Sequence, residues 1–179
     1  MLTVINGPMF SGKTSMLISI ANANIVAGNR VKIYKPSNDT RSAGELITHD
    51  GISVAAEIID KECVDIIIDD LIVSVILFDE AQFFNRINLM YNVKWLLDLN
   101  YTVVCAGLSQ DSSGNTFGAM PKLLAIADEI INLKAVCSKC RGINVATRTY
   151  RRGNSKEQII VGGKELYEAR CYRCWRDND

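Results

Sequence analysis

The sequence predicts an α/β protein, a mostly parallel sheet flanked by helices, with a small cysteine-bearing unit near its C-terminal end. Three observations predict it. Short apolar runs of β character alternate with helix-period segments as far as about residue 136. The eight residues "GPMFSGKT" (7–14) follow the first apolar run and open the first helical segment. Two C-x-x-C pairs, Cys137 with Cys140 and Cys171 with Cys174, enclose a stretch without that alternation.

"LTVIN" (2–6) reads as a strand, and Lys13–Ala27 places Met16, Leu17, Ile20, Ala21 and Asn24 at helical spacing until Gly28 ends the run. "RVKIYKP" (30–36) is a second strand closed by proline. Residues 37–51 are polar and turn-rich, hence a loop, and "ISVAAEI" is a minor strand. Residues 60–73 carry Asp60 and Glu62 in a first turn and Cys63, Ile66, Ile67 and Leu71 on one side, which predicts a helix. "SVILFDEAQFF" (74–84) begins as a strand buried on both faces and runs into two carboxylates. A helix over 87–100, a buried strand over 101–108, a loop over 109–118, a short helix from Met120 and a last strand over 130–136 follow. Beyond Val136, two β-like stretches, 143–150 and 157–161, flank a polar segment. The expected division is 1–136 for the nucleotide-binding α/β domain and 137–179 for the cysteine-bearing one.

The 179 residues are 48% hydrophobic, enough for a real core, and 20 basic residues balance 20 acidic ones. The distribution is uneven: residues 134–179 hold eleven basic and five acidic side chains, a net of +6, and residues 1–133 carry the opposing −6. No charged and apolar leader and no apolar run of about 20 residues is present, so the expected location is the reducing cytoplasm, where six cysteines serve metal binding or burial before disulfides.

"GPMFSGKT" satisfies G-x-x-x-x-G-K-[ST] in the strand–loop–helix context that gives the pattern its meaning. Backbone N–H groups of Phe10, Ser11, Gly12, Lys13 and Thr14 would surround phosphates at the positive end of a helix, with Gly7, Pro8 and Met9 leading into the turn. Lys13 would bridge the outer phosphates, and the Thr14 hydroxyl would help hold Mg2+. The loop implies a nucleoside triphosphate and leaves the phosphate acceptor open.

Asp79 and Glu80 stand where a buried strand ends, the edge at which open α/β sheets bind ligands. Asp79 suits the orientation of Mg2+. Glu80 suits a general base, acting on water in an ATPase or on an acceptor hydroxyl in a kinase; a helix-capping role is the plainer alternative. Gln82, Phe83 and Phe84 follow, either as a slot for a planar base or as core. Four cysteines in two C-x-x-C pairs match a closed tetrahedral Zn2+ site, structural in role, that would staple residues 141–170 at their base. Cys63 and Cys105, in apolar segments, read as core.

In combination, "GPMFSGKT", "NDTR" (38–41), "THD" (48–50), "DEAQFF", "FGAMPKLLAIAD" (117–128), "LKAVCSKC" and "GGKELYEARCYRC" closely resemble the type II thymidine kinase family over almost the whole chain. The resemblance implies a P-loop, RecA-like α/β domain with a small zinc-binding lasso domain, usually tetrameric. It implies transfer of the ATP γ-phosphate to the 5'-hydroxyl of thymidine or deoxyuridine with Mg2+. Carried over, Glu80 is the base, Asp79 organises Mg2+ with Thr14, and Asp39 with Arg41 lies near the phosphates and metal. Met9, Phe84, Leu108 and Tyr167 wall the thymine pocket, and Thr147 with Ile160, Val161 and Gly162 reads the base edge from a closing lid. His49, the one histidine, is structural under this reading. One segment departs: Ser109 and Ser112 stand where the family commonly has Asp and Phe, which implies a thinner pocket wall or one supplied by another residue.

Two readings from other classes compete. A P-loop ATPase with a nucleic-acid-binding zinc module would use the +6 tail, although Arg148, Arg151 and Arg152 flank the would-be lid and aromatic–basic interleaving is confined to Tyr172 and Trp175. A nucleotide-dependent interaction module without turnover would not need Lys13, Thr14, Asp79 and Glu80 together.

Overall fold

The computed structural model describes residues 1–38, 45–47, 53–62, 73–153, 157–158, 160 and 162–177. Its centre is a six-stranded sheet in which every pairing is parallel. The strands are β1 (Leu2–Asn6), β2 (Arg30–Pro36), β5 (Glu57–Ile59), β6 (Val73–Phe78), β7 (Thr102–Gly107) and β8 (Glu129–Asn132), in the spatial order β5-β2-β6-β7-β1-β8. Helix α1 (Lys13–Val26) covers one face; α2 (Arg86–Asp98) and α3 (Met120–Ile126) cover the other.

The period-2 geometry of strands explains how both faces are filled. From β6, Val75 and Leu77 join Leu17, Ile18 and Ala21 of α1, while Ile76 and Phe78 join Leu89, Val93 and Leu96 of α2 and Leu123 of α3. From β7, Val104 and Ala106 point to the α1 side, and Val103 and Cys105 to the other. A strand buried on both faces leaves no room for polar side chains, so β1, β6 and β7 are the continuous apolar runs of the sequence. Asn85 caps α2, its Oδ1 accepting from the Ile87 and Asn88 N–H groups.

The structure corrects the reading at several places. The loop expected over 37–51 contains a short strand, β3 (Glu45–Ile47), antiparallel to β4 (Ser53–Ala55). The minor strand "ISVAAEI" is divided: Ala56 separates β4 from β5, which turns away to the edge of the main sheet beside β2. Of the helix expected over 60–73, residues 63–72 lie outside the described residues, and Val73 already belongs to β6. The carboxylate-bearing segment leaves the sheet after Phe78 and continues as a single 3-10 turn, Ala81–Phe83. In the C-terminal part, β9 (Arg148–Arg151), within the β-like stretch 143–150, pairs antiparallel with β10 (Tyr167–Arg170), which the sequence reading did not single out as a strand, and a short helix, α4 (Tyr172–Arg176), opens inside the second C-x-x-C. Glu168 faces Tyr150 across the ladder and binds Arg152 (Nη2, 2.6 Å), just past the end of β9, as well as Arg170 (Nε, 2.9 Å) on its own strand, so the Arg152 pair supports this register. Among the described residues no helix is long and apolar enough to cross a membrane.

Leu96 is fully buried between α2 and the sheet, so Leu96→Ala should lower the unfolding free energy by about 2–5 kcal/mol in urea titrations, without altering the site described next.

Candidate active site

The phosphate loop is shaped by its backbone. Phe10 (φ 64°) and Gly12 (φ 84°) both adopt the left-handed region, the kind of backbone from which anion-binding concavities of N–H groups are built. Gly12 occupies the N-cap position of α1 and offers no side chain to cap it, so the first-turn N–H groups suit an anion. The Ser11 hydroxyl is buried without a hydrogen-bond partner among the described residues, as expected of a group whose partner is a ligand. Lys13, 9% exposed, donates from Nζ to the Pro8 carbonyl at 2.8 Å, folded across the loop.

β6 delivers the carboxylates to the same place. β7 lies between β1 and β6 in the sheet, yet the Thr14 hydroxyl donates to Asp79 Oδ2 at 3.3 Å, so the loop and the strand end meet in front of it. Asp79 is 3% exposed. Burial above all, and the neighbouring Glu80 charge next, push its carboxyl up from 3.8 to about 7, against the pull of Lys13 and Lys35. A buried carboxylate beside a hydroxyl, under a phosphate-binding loop, is a donor set that suits a hard divalent cation such as Mg2+. Glu80, next in sequence, sits at φ 51° and ψ 43°, a left-handed conformation rare for a non-glycine residue. That backbone turns it out of the strand's alternation, and its Oε2 accepts a hydrogen bond from Gln82 Nε2.

Around this centre, Met9 donates its N–H to Thr149 Oγ1 at 3.0 Å, joining the phosphate loop to β9. Leu108 and Thr147 line a cavity of about 350 Å³ together with Gly7, Pro8, Asn6 and Arg148. Tyr167 is buried, and its hydroxyl donates to the Ile160 carbonyl at 2.7 Å; Gly162 follows close by in the chain. Phe84 is 6% exposed and packs edge-on against Phe78 in the core on the α2 side. Phe83 instead meets Phe117 edge-on, ring centres 5.5 Å apart. Neither Phe83 nor Phe117 carried an assigned role in the sequence, where adjacent aromatics give no sign of which one faces the core. Asp39, Arg41, Val161 and His49 lie outside the described residues. The 109–118 loop, bearing Ser109 and Ser112, is held from two sides: Gln158 Nε2 donates to Asp111 Oδ2 at 2.8 Å, and Trp175 Nε1 donates to the Ser112 carbonyl at 3.1 Å.

The four cysteines converge. The sulfurs of Cys137, Cys140, Cys171 and Cys174 all lie within 4.8 Å of one another, close to the roughly 3.8 Å edges of a tetrahedron with metal–sulfur bonds of about 2.3 Å. Burial opposes ionisation of Cys137, but N–H groups of Cys140, Cys171 and Lys139 pointing at its sulfur hold its thiol down to about 6, leaving it ready to bind metal as thiolate. The residues present therefore fit a closed Zn2+ site. Its surroundings include the other loop: Phe10 packs with Cys171 and Cys174 onto Ala135, Cys137, Ala146 and Ala169.

A phosphate loop, a buried Asp on its Thr and an adjacent Glu at a parallel-sheet edge define a P-loop phosphotransferase site. Comparison with known proteins gives the particular family. The thymidine kinase family profile matches residues 1–175. A thymidine kinase of Bacteroides thetaiotaomicron is 38% identical over 175 residues, which cover 97% of this chain and 86% of the relative. The chain belongs to the thymidine kinase family.

Two outcomes follow from the electrostatics and the cysteines. Between about pH 4 and 7 the folded, ligand-free protein retains on Asp79 a proton that the unfolded chain releases, so stability falls as pH rises through that window. Asp79→Asn removes the penalty: its gain over the parent should be near zero at pH 4 and roughly 1–3 kcal/mol above pH 7, read from paired urea titrations at each pH. Chelation of metal under reducing conditions should raise hydrogen exchange in 137–151 and 167–176 first, leaving β1, β6 and β7 protected; uniform loosening of the chain would contradict a local staple.

Proposed function

We propose that the chain is an ATP-dependent thymidine kinase of nucleoside salvage, transferring the γ-phosphoryl group to the 5'-hydroxyl of thymidine, and of deoxyuridine, to give the monophosphate and ADP. The observation that carries this is Glu80, turned out of the strand by its left-handed backbone, immediately beside the Asp79–Thr14 contact under the phosphate loop. In this reading the 5'-oxygen attacks the γ-phosphorus as Glu80 takes its proton, and the bond to the β-phosphate oxygen breaks to release ADP. Lys13 leaves the Pro8 carbonyl for the outer phosphates, and the loop N–H groups and Ser11 hydroxyl hold the rest. Thr14 and Asp79 would hold Mg2+, whose charge offsets that of the phosphate oxygens.

The acceptor pocket is formed in this reading by Met9, Leu108 and Tyr167 with the Phe83–Phe117 pair, while Thr147 and the backbone of 160–162 read the base edge. Phe117 is the aromatic that compensates for Ser112, and Phe84 supports the wall from the core side. Asp39 and Arg41 serve the phosphates and metal. Residues 137–179 act as a zinc-stapled lid domain on the 1–136 domain. A cytoplasmic location suits its four thiols, and a homotetramer is the assembly expected from the family resemblance.

The test is ATP consumption with thymidine, with single-stranded DNA, and with neither. Thymidine monophosphate should form in step with ADP; hydrolysis stimulated by DNA without that product would overturn the reading. Glu80→Gln should lower kcat by about 100-fold or more while thymidine KM changes little, since the proton moves only in the transition state.

A further inference from the structure

Gln82 is held more completely than its place in a 3-10 turn requires. It is 2% exposed, its Oε1 accepts the Leu108 N–H at 3.0 Å, and its Nε2 donates to Glu80 Oε2. The orientation of the amide is forced, because the backbone N–H only donates and an ionised carboxylate only accepts. Space for it is made by Gly107, where a Cβ would stand 2.6 Å from Gln82 Oε1, and by Gly118, where one would stand 2.2 Å from the Gln82 carbonyl oxygen. A side chain at either position would displace the turn.

We propose that Gln82 is the positioning residue for Glu80: it fixes one carboxylate oxygen so that the other faces the acceptor hydroxyl, and it ties that placement to Leu108 at the start of the 109–118 loop. The proposal rests on the reading of Glu80 as the base. Glu80 has three side-chain torsions to order, and its left-handed backbone fixes only the direction in which the side chain leaves the chain. A donor from a buried, doubly bonded amide constrains one carboxylate oxygen before substrate arrives. Gln is suited to the task by carrying one acceptor and two donors on a neutral group: Glu would keep the acceptor for Leu108 but set a second carboxylate against Glu80, and Met would keep the length with neither function.

Kinetics of Gln82→Met and Gln82→Glu, alone and combined with Glu80→Gln, test this, with melting temperature and the dissociation constant of a non-hydrolysable ATP analogue measured for each. Gln82→Met should lower kcat roughly 10- to 100-fold while thymidine KM and analogue affinity stay within about threefold. Gln82→Glu should lose at least as much despite keeping the Leu108 contact. In the Glu80→Gln background, adding Gln82→Met should cost less than about a further twofold, because the group it orients is gone. Independent, multiplicative losses, a defect confined to KM, or parental kcat in Gln82→Glu would overturn the proposal. Should Gln82→Met not fold, Gln82→Glu and its Glu80→Gln combination decide by the same criteria. A parent protein that makes no thymidine monophosphate would instead overturn the kinase reading beneath it.

Discussion

The contact between the Thr14 hydroxyl and the buried carboxylate of Asp79 is the constraint around which the site is arranged. It joins two strand ends that the sheet keeps apart by a whole strand, and it sets the phosphate loop and the carboxylate pair at a fixed spacing. Sinking a carboxylate there is unfavourable, more so with Glu80 adjacent, and the nearby positive charges of Lys13 and Lys35 offset part of that cost. Local electrostatic strain in an otherwise consistent structure is expected where ligands bind. Two non-glycine residues of this region, Phe10 in the phosphate loop and Glu80 beside Asp79, adopt the left-handed backbone conformation.

The cysteine cluster is part of this arrangement rather than a remote appendage. Phe10, from the middle of the phosphate loop, completes the small apolar cluster beneath the four sulfurs, and the Met9 N–H is bonded to Thr149 of β9. The shape of the loop therefore depends on contacts from both ends of the chain. The same C-terminal segment grips the other side of the cleft through Gln158 and Trp175, which hold the 109–118 loop by Asp111 and the Ser112 carbonyl. With Arg152, Glu168 and Arg170 bracing the β9–β10 ladder, the C-terminal part is fastened at its base by cysteines and charges and reaches the cleft through a few polar contacts.

Much of the fold was legible in the sequence because its causes are local. Strands buried on both faces must be apolar throughout, so "LTVIN", "VILF" and "TVVCAG" identify β1, β6 and β7; Gly28 ends the first helix close to where expected; the spacing of the phosphate loop and of the C-x-x-C pairs is itself the chemistry. The misjudged elements have causes that are not local. β3 is a strand because Ser53–Ala55 lies opposite it, and the β9–β10 ladder is joined by the Arg152–Glu168 pair, 16 positions apart in the chain. Period alone contains neither fact.

The sequence by itself determined which groups this protein brings to its chemistry: a phosphate loop with Lys13 and Thr14, two carboxylates at a strand end, and four thiols in two pairs. Only the tertiary structure decided how they are aimed. The order β6-β7-β1 fixes the reach from Thr14 to Asp79; the left-handed turn at Glu80 and the glycine-lined seat of Gln82 bring their two side chains into one hydrogen bond; Phe84 packs on Phe78 in the core while Phe83 packs on Phe117. Residue types and short spacings are written along the chain, whereas an aim depends on contacts between residues 26 and 65 positions apart, as between Gln82 and Leu108 or Thr14 and Asp79, and these exist only once the sheet has brought them together.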